Sequence, residues 1–454
     1  MKSKNILYIV FGIALIASSC KKFLEIAPPK TSAASESVFN TDDLATSAVL
    51  NMYSTMNGNS FAFGSSSVTF VGGLSSDELL NYGGLTAFYD DELSPANNTL
   101  TTLFDNPYSI IFKANSVLEG LDLSNGLTPS VKSQLQGEAY FVRAFTYFNL
   151  VNLFGPVPLN LNSDYRQNRA NPRASIDQIY QQMINDLHLA EGLLTDQYVT
   201  TERVRPNLAA VQALLARVYL YNKDYVNAEK CASLIIAKTT TYSLVPLNNV
   251  FLKNSQEAIW QLFPPSNSSG FEGNIFILTN PPVVVSLRSA FVLNAFEAND
   301  KRKTSWVNSF TNSTGTYYFP YKYKVKSTVP STEYSMVLRL GEQYLIRAEA
   351  RAQQNNLTGA IDDLDKIRDR AGLPLLALIN PTINKSDLLD AIQKERRVEL
   401  FTEWGHRWFD LTRTGKATEV LTPLKPKWEP TDVLYPIPLA EITRNPNSSQ
   451  NAGY

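Results

Sequence analysis

Apolar residues return at helical spacing in block after block along this 454-residue chain, so its fold must bury a succession of amphipathic helices. The pattern predicts helices from Thr41 to Asn57, from Asp105 to Leu121, and from Thr128 to Val151 with a stop at Gly155-Pro156. Three more are expected at Ser175–Leu194, Pro206–Tyr221 and Asp224–Ala237. The last two form a pair split by Asn222-Lys223, and that pair has a counterpart. Ala216, Ala228 and Ile235 are spaced twelve and seven residues apart, and Ala348, Ala360 and Ile367 repeat the spacing. In each set the first Ala lies on one helix and the second on the next, across a short polar turn. Small residues at these points let two antiparallel helices approach closely. Two copies 132 residues apart fit repeated helix pairs, and they equally fit chance spacing in any four-helix protein.

Two stretches interrupt the helical period. Residues 58–104 are rich in Gly, Ser and Asn with scattered aromatics, and residues 239–334 carry Trp260, Phe271, Phe276, Trp306 and the run Tyr317-Tyr318-Phe319. Loops of this length without structure are uncommon in compact domains, so short strands are expected at Ala258–Leu262 and Tyr317–Val325. Trp260 is assigned to a core strand, and Tyr317, Phe319, Tyr321 and Tyr323 alternate like one packed face. Long insertions on a helical scaffold are where binding sites tend to lie.

The first twenty residues form an export signal. Lys2 and Lys4 supply the positive start, Ile6 to Ala17 is uncharged, and Ala17-Ser18-Ser19 offers small residues before Cys20. A Cys at that point reads as the lipid-bearing first residue of a mature lipoprotein, with ordinary secretion and a chance Cys as the alternative. Residues 1–19 are then the signal and residues 20–37 a tether stiffened by Pro28-Pro29. Residues 38–454 are expected to form a single domain. The only other thiol, Cys231, lies in an apolar helical pattern and reads as a small buried hydrophobe. With 41 Lys and Arg against 42 Asp and Glu, the chain lacks the positive excess that nucleic acid or a polybasic membrane surface would demand.

A catalytic constellation is hard to assemble. There are two histidines, His188 and His406, and no Gly-rich phosphate loop, nucleophile elbow or paired His motif. Asp77-Glu78 and Asp90-Asp91-Glu92 are loop acids of the kind a glycosidase pair requires, although adjacent acids more often coat a solvated loop. No metal ligand set or cofactor motif is found. The densest polar and aromatic run is Glu395 to Arg413. It reads either as an anionic pocket or as a helix end whose Glu, Arg and Asp side chains pair across helices while Trp404 and Trp408 fill the core. Balanced charge at helical spacing favours the second.

That run resembles the signature of the SusD/RagB family of outer-membrane nutrient-binding lipoproteins from Bacteroidetes. Other segments resemble the family in the same order: Arg143–Val151 with Phe154–Leu159, then Tyr344–Ala350, then Tyr435–Pro438, Asn445-Pro446 and Gln450–Tyr454. Ala452 replaces the Pro common in the last motif, and Gly341 stands where Ala is usual. The resemblance spans nearly the whole chain from Cys20 onward.

The resemblance implies one mainly α domain of tetratricopeptide-like helix pairs, with long loop insertions and a few short strands. Ala216-x-x-Tyr219 is similar to part of that repeat pattern. It further implies a cell-surface, lipid-anchored protein of the outer membrane that is not an enzyme. Such a protein captures oligosaccharides, or peptides in one branch, and passes them to a SusC-type TonB-dependent transporter. A surface glycoside hydrolase is the alternative of a different class. The implied ligand face takes Asp77 and Glu78 as hydroxyl acceptors, Tyr82, Phe88 and Tyr89 as platforms, and Phe271 and Trp306 from the second insertion. Asp77 lies where the family often places a ligand-contacting acid.

Overall fold

The structure, a computed structural model, describes residues 38–58, 61–64, 67–264 and 271–454. The export signal, Cys20 and the tether lie outside the described residues. The helices of eight or more residues are α1 (Asp42–Gly58), α2 (Val68–Ser75), α3 (Asn98–Leu123), α4 (Pro129–Phe154), α5 (Ile176–Leu193), α6 (Leu208–Tyr221), α7 (Tyr225–Ile236), α8 (Leu340–Gln353), α9 (Leu357–Ala371), α10 (Lys385–Glu399) and α11 (His406–Arg413). Helices α3 to α7 pack each on the next, and α8 packs directly onto α7 despite the long insertion between them. The mainly α architecture is as expected.

Local chemistry sets the helix ends. Ser175 and Gln178 form a reciprocal capping box at the start of α5, and Gly155 ends α4 at φ 69°. Helix α3 begins at Asn98, earlier than its periodicity predicts, because the Asn97 side chain accepts from Leu100 N. Pro107 is then carried inside the helix. Helix α4 is buried on nearly every side in its second half and forms the centre of the stack.

The repeated spacing marks two equivalent helix pairs. Ala216, Ala228, Ile235, Ala348, Ala360 and Ile367 all have no exposed surface. The equivalence extends to the backbone: Lys223 and Asn355, at the same offset in the two turns, adopt φ 61° and 64°. Asp224 and Asn356 follow them as matched N-caps, accepting from Asn227 N and Gly359 N. Two turns with the same left-handed residue and the same cap identify one repeated unit rather than chance.

The strands form four two-stranded antiparallel ladders: β1 (Leu79–Asn81) with β5 (Val285–Leu287), β2 (Val157–Pro158) with β3 (Arg173–Ala174), β4 (Ala258–Leu262) with β8 (Ser335–Arg339), and β6 (Val307–Asn312) with β7 (Gly315–Pro320). Trp260 on β4 is fully buried, edge-on to Phe141 and Phe145 of α4. The strand expected at Tyr317–Val325 ends sooner, at Pro320, which has no N–H with which to continue a ladder. Phe319 and Tyr323 are buried, whereas Tyr317 and Tyr321 are only partly covered, so the alternating face is not uniformly packed. Pairing Leu79 with Leu287 and Asn81 with Val285, the β1–β5 ladder joins the two insertions.

An ionic cluster lies beneath this junction. Glu399, at the end of α10 and fully buried, accepts from Arg339 Nη1 at 2.7 Å, from Arg302 Nη1 at 3.2 Å and from Arg370. Burial alone would raise its carboxyl, but Arg370, Arg339 and Arg302 outweigh that and hold it well below the ordinary carboxylate range. Glu403 takes Arg339 Nε at 2.8 Å and Lys322 Nζ at 2.5 Å. Glu399→Ala leaves these guanidinium groups facing one another without their shared anion. It is expected to cost about 3–5 kcal/mol of unfolding free energy, read by urea denaturation.

Candidate functional site

The run Glu395–Arg413 is occupied by its own partners. Arg396 pairs with Asp410 at 2.8 Å, Arg413 with Glu349 at 2.6 Å, and Arg368 with both Glu297 and Glu395. Trp404 and Trp408 are buried. This is the paired helix end, not an anionic pocket. Between α10 and α11 the chain turns with Thr402, Trp404 and Gly405 all at positive φ. Outside contacts hold that strained turn: Thr402 N donates to Glu78 Oε2 and Trp404 N donates to Thr69 Oγ1. Gly72 of α2 packs so close that a Cβ there would lie 2.9 Å from Gly405 Cα.

Four of the expected ligand residues therefore belong to the interior. Asp77 is 3% exposed, with Arg407 Nε at 2.6 Å and Arg397 Nη2 at 2.5 Å. Burial opposes its charge, but Arg407 and then Arg397 prevail and keep its carboxyl below the ordinary value. Glu78 is buried beside it, and burial pushes its carboxyl up to about 8, with the Asp77 charge adding to the rise and the Thr402 N–H opposing it. Phe88 has no exposed surface and packs edge-on against Tyr435. Trp306 likewise is fully buried, and its Nε1 donates to Leu247 O at 2.9 Å. These side chains present nothing to a ligand at the surface, and their expected contact role is corrected to one of support.

The remaining three lie where the insertions meet. Tyr82, directly after β1, is 43% exposed, and its backbone N donates to Val284 O beside β5. Its ring meets that of Tyr317 on β7 edge-on, centroids 6.2 Å apart. Val284, whose carbonyl takes the Tyr82 N–H, lines a largely apolar cavity of about 290 Å³ with Val283, Val285, Ile275, Ile277, Leu278 and Pro281, to which Asn274, Thr279, Asn280 and Lys326 add polar groups. Phe271 opens the short helix Phe271–Phe276, whose Asn274 and Ile275 form part of the wall. Tyr89 is half-buried nearby, with the Arg288 guanidinium 4.8 Å from its ring centre. Tyr317 was expected on a packed strand face, not at a site; the β1–β5 ladder and the β6–β7 hairpin bring it to Tyr82.

The buried histidine and the described thiol are held in unreactive forms. Burial, with Arg217 and Arg396 close by, keeps the His406 imidazole neutral well below its usual range. Burial also pushes the Cys231 thiol up to about 12, which leaves it inert. Among the described residues no group of three or more His, Cys, Asp or Glu side chains converges as a metal site would require. What the surface offers at this junction is an aromatic pair with one well exposed ring, a feature that suits the C–H face of a sugar.

Comparisons with known proteins agree with this architecture. Residues 22–220 match a family described as starch-binding and associating with the outer membrane, and residues 294–454 match the SusD family. A SusD-like protein of Formosa agariphila is 25% identical over 436 residues, covering 80% of this chain and 82% of its own length. The starch-binding protein SusD of Bacteroides thetaiotaomicron is 24% identical over 440 residues, covering 74% and 75%. Among solved structures, a laminarin-binding SusD-like protein superposes with a TM-score of 0.78 at 23% identity, over 92% of this chain and all of the other. A SusD superfamily protein from Bacteroides vulgatus gives 0.79 at 20% identity, over 91% and 99%. These structures share the fold.

Two outcomes follow from the buried positions. Trp306→Ala should lower unfolding free energy by about 3–5 kcal/mol, measured by chemical denaturation, since it empties a packed site. Glu78 takes up protons on folding between its ordinary value of 4.5 and about 8. Its contribution is therefore fully present below the lower value and lost as pH rises through the upper one. Urea unfolding from pH 5 to 9 should show stability declining less steeply in Glu78→Gln than in the parent protein.

Proposed function

The chain belongs to the SusD family, and from that premise we propose that it is a glycan-binding lipoprotein of the outer membrane, anchored through Cys20 and facing outward. It captures oligosaccharide and passes it to a SusC-type TonB-dependent transporter, with no chemistry of its own. The observation that carries the glycan reading is the Tyr82–Tyr317 ring pair, contributed one ring by each insertion, with Tyr82 43% exposed. Sugar rings place their C–H faces on aromatic rings, while amides and cations take the hydroxyls. The starch-binding and laminarin-binding relatives support the same class of ligand.

Lipid attachment suits a chain in which no described helix is long and apolar enough to cross a membrane. Binding without turnover suits a chain whose candidate loop acids, Asp77 and Glu78, are buried and held by Arg407, Arg397 and the Thr402 N–H. Isothermal titration against α- and β-glucan oligosaccharides and a peptide panel tests the reading. Tyr82→Ala should weaken glucan binding about tenfold while leaving the melting temperature unchanged, because the ring is only half covered. Heat on peptide addition alone, or glycan turnover by the purified protein, would overturn it.

A further inference from the structure

A second pair of hollows lies on different elements from the Tyr82 face and shares no lining residue with its cavity. One, of about 420 Å³, sits between α3, the loop after β2 and the C-terminal helix Leu439–Arg444. The other, of about 470 Å³, adjoins it along the same loop. Asn162 and Tyr165 line both, so the Tyr165 ring stands on the ridge between them, 71% exposed. Phe112 of α3, half-exposed, lines the first hollow with Tyr108 and Asn160.

The ridge is built, not loose. Asn115, 1% exposed, donates from Nδ2 to the carbonyls of Asn160 and Asn162, both at 3.0 Å. Its Oδ1 is fixed in turn by Arg143 Nη1 at 2.8 Å, and Arg143 is locked to the buried Asp186. Asn168 Nδ2 returns to Asn162 O at 2.7 Å, and Asp164 caps the turn that carries Tyr165. A buried ion pair thus positions a loop whose most prominent side chain is an exposed aromatic ring, at little ordering cost to a ligand. Charge in the first hollow is balanced: Asp105 and Glu441 stand against Arg169 and Arg444, and Arg444 pairs with Asp105 at 3.0 Å and with Glu441 at 3.6 Å. The second hollow holds Glu119 and Asp164 against Arg166, which pairs with Asp164 at 3.0 Å, so neither hollow carries the positive excess an anionic ligand would demand and a neutral one fits both.

We propose that this ridge is a second saccharide site, which takes a neutral oligosaccharide with one pyranose in each hollow and Tyr165 between them. Each hollow falls in the size range of small-ligand pockets. The site stands on its own geometry and requires nothing of the Tyr82 face.

Hydrogen–deuterium exchange on the full-length protein, in a zwitterionic detergent without a sugar headgroup, tests it. The probes are neutral hexasaccharides of α-1,4-glucan, β-1,3-glucan and β-1,4-mannan. At least one should slow exchange in residues 105–115 and 158–169. Tyr165→Ala should then require about tenfold more of that sugar for the same protection, whereas Tyr82→Ala should leave it unchanged. Protection confined to residues 79–82 and 274–285 would overturn the second site and leave the first standing. Protection of 158–169 that survives Tyr165→Ala would also overturn it. No protection anywhere would overturn both.

Discussion

The buried carboxylate of Glu399 is the point to which the separate parts of this fold are tied. Its arginine partners come from three places: Arg339 from the end of β8, Arg370 from the end of α9, and Arg302 from the second insertion. Four residues on, Glu403 gathers Lys322 from beyond β7 and shares Arg339. Arg397, two residues before Glu399, pairs with Asp77 of the first insertion. One helix end thereby holds the repeat stack, the central ladder and both insertions. In a dry interior none of these charges tolerates losing its partner, so the parts are coupled.

That cluster also accounts for a local departure from the family pattern. Gly341 stands where Ala is usual, and a Cβ there would lie 2.5 Å from Arg339 Nη1 and about as near to Glu399 and Glu257 as packing allows. Glu257 joins the same network through Arg370. The space an alanine methyl would take is filled by the guanidinium group. The missing methyl and the crowded ion cluster are one feature.

What the sequence made legible was whatever depends on near neighbours. The capping box at Ser175, the stop at Gly155 and the spacing of Ala216 with Ala228 are local, and each fixes a boundary or a close approach. The pairing within Glu395–Arg413 was readable because opposite charges at helical spacing have few other uses. Trp306 was not readable: its fate is set by Leu247 O, far away in sequence, and an aromatic residue in an insertion looks the same whether it faces water or core. Asp77 is the same case, since its partners lie more than three hundred residues later. Tyr165 carried no signal because the loop around it has neither helical nor strand period, and its exposure follows from amide contacts that no periodicity encodes.

The placement of buried charge has a consequence for the ligand faces. Small apolar residues at helix crossings are interchangeable from one repeat to the next, so they stabilise stacking without fixing which helix meets which. Arginine–carboxylate pairs do discriminate, because a shifted neighbour leaves a charge unpaired. Arg217 with Glu342, and Arg347 with Asp363, place one such lock between the repeat pairs and one within the second. With register fixed inside, and the insertions pinned by Asp77, Arg302 and the β1–β5 ladder, the exposed side chains carry little structural duty. Tyr82 and Tyr165, 43% and 71% exposed, can then be replaced with small effect on folding. Interior and surface are in this way separated: the buried pairs fix the register and the exposed rings are left free of it.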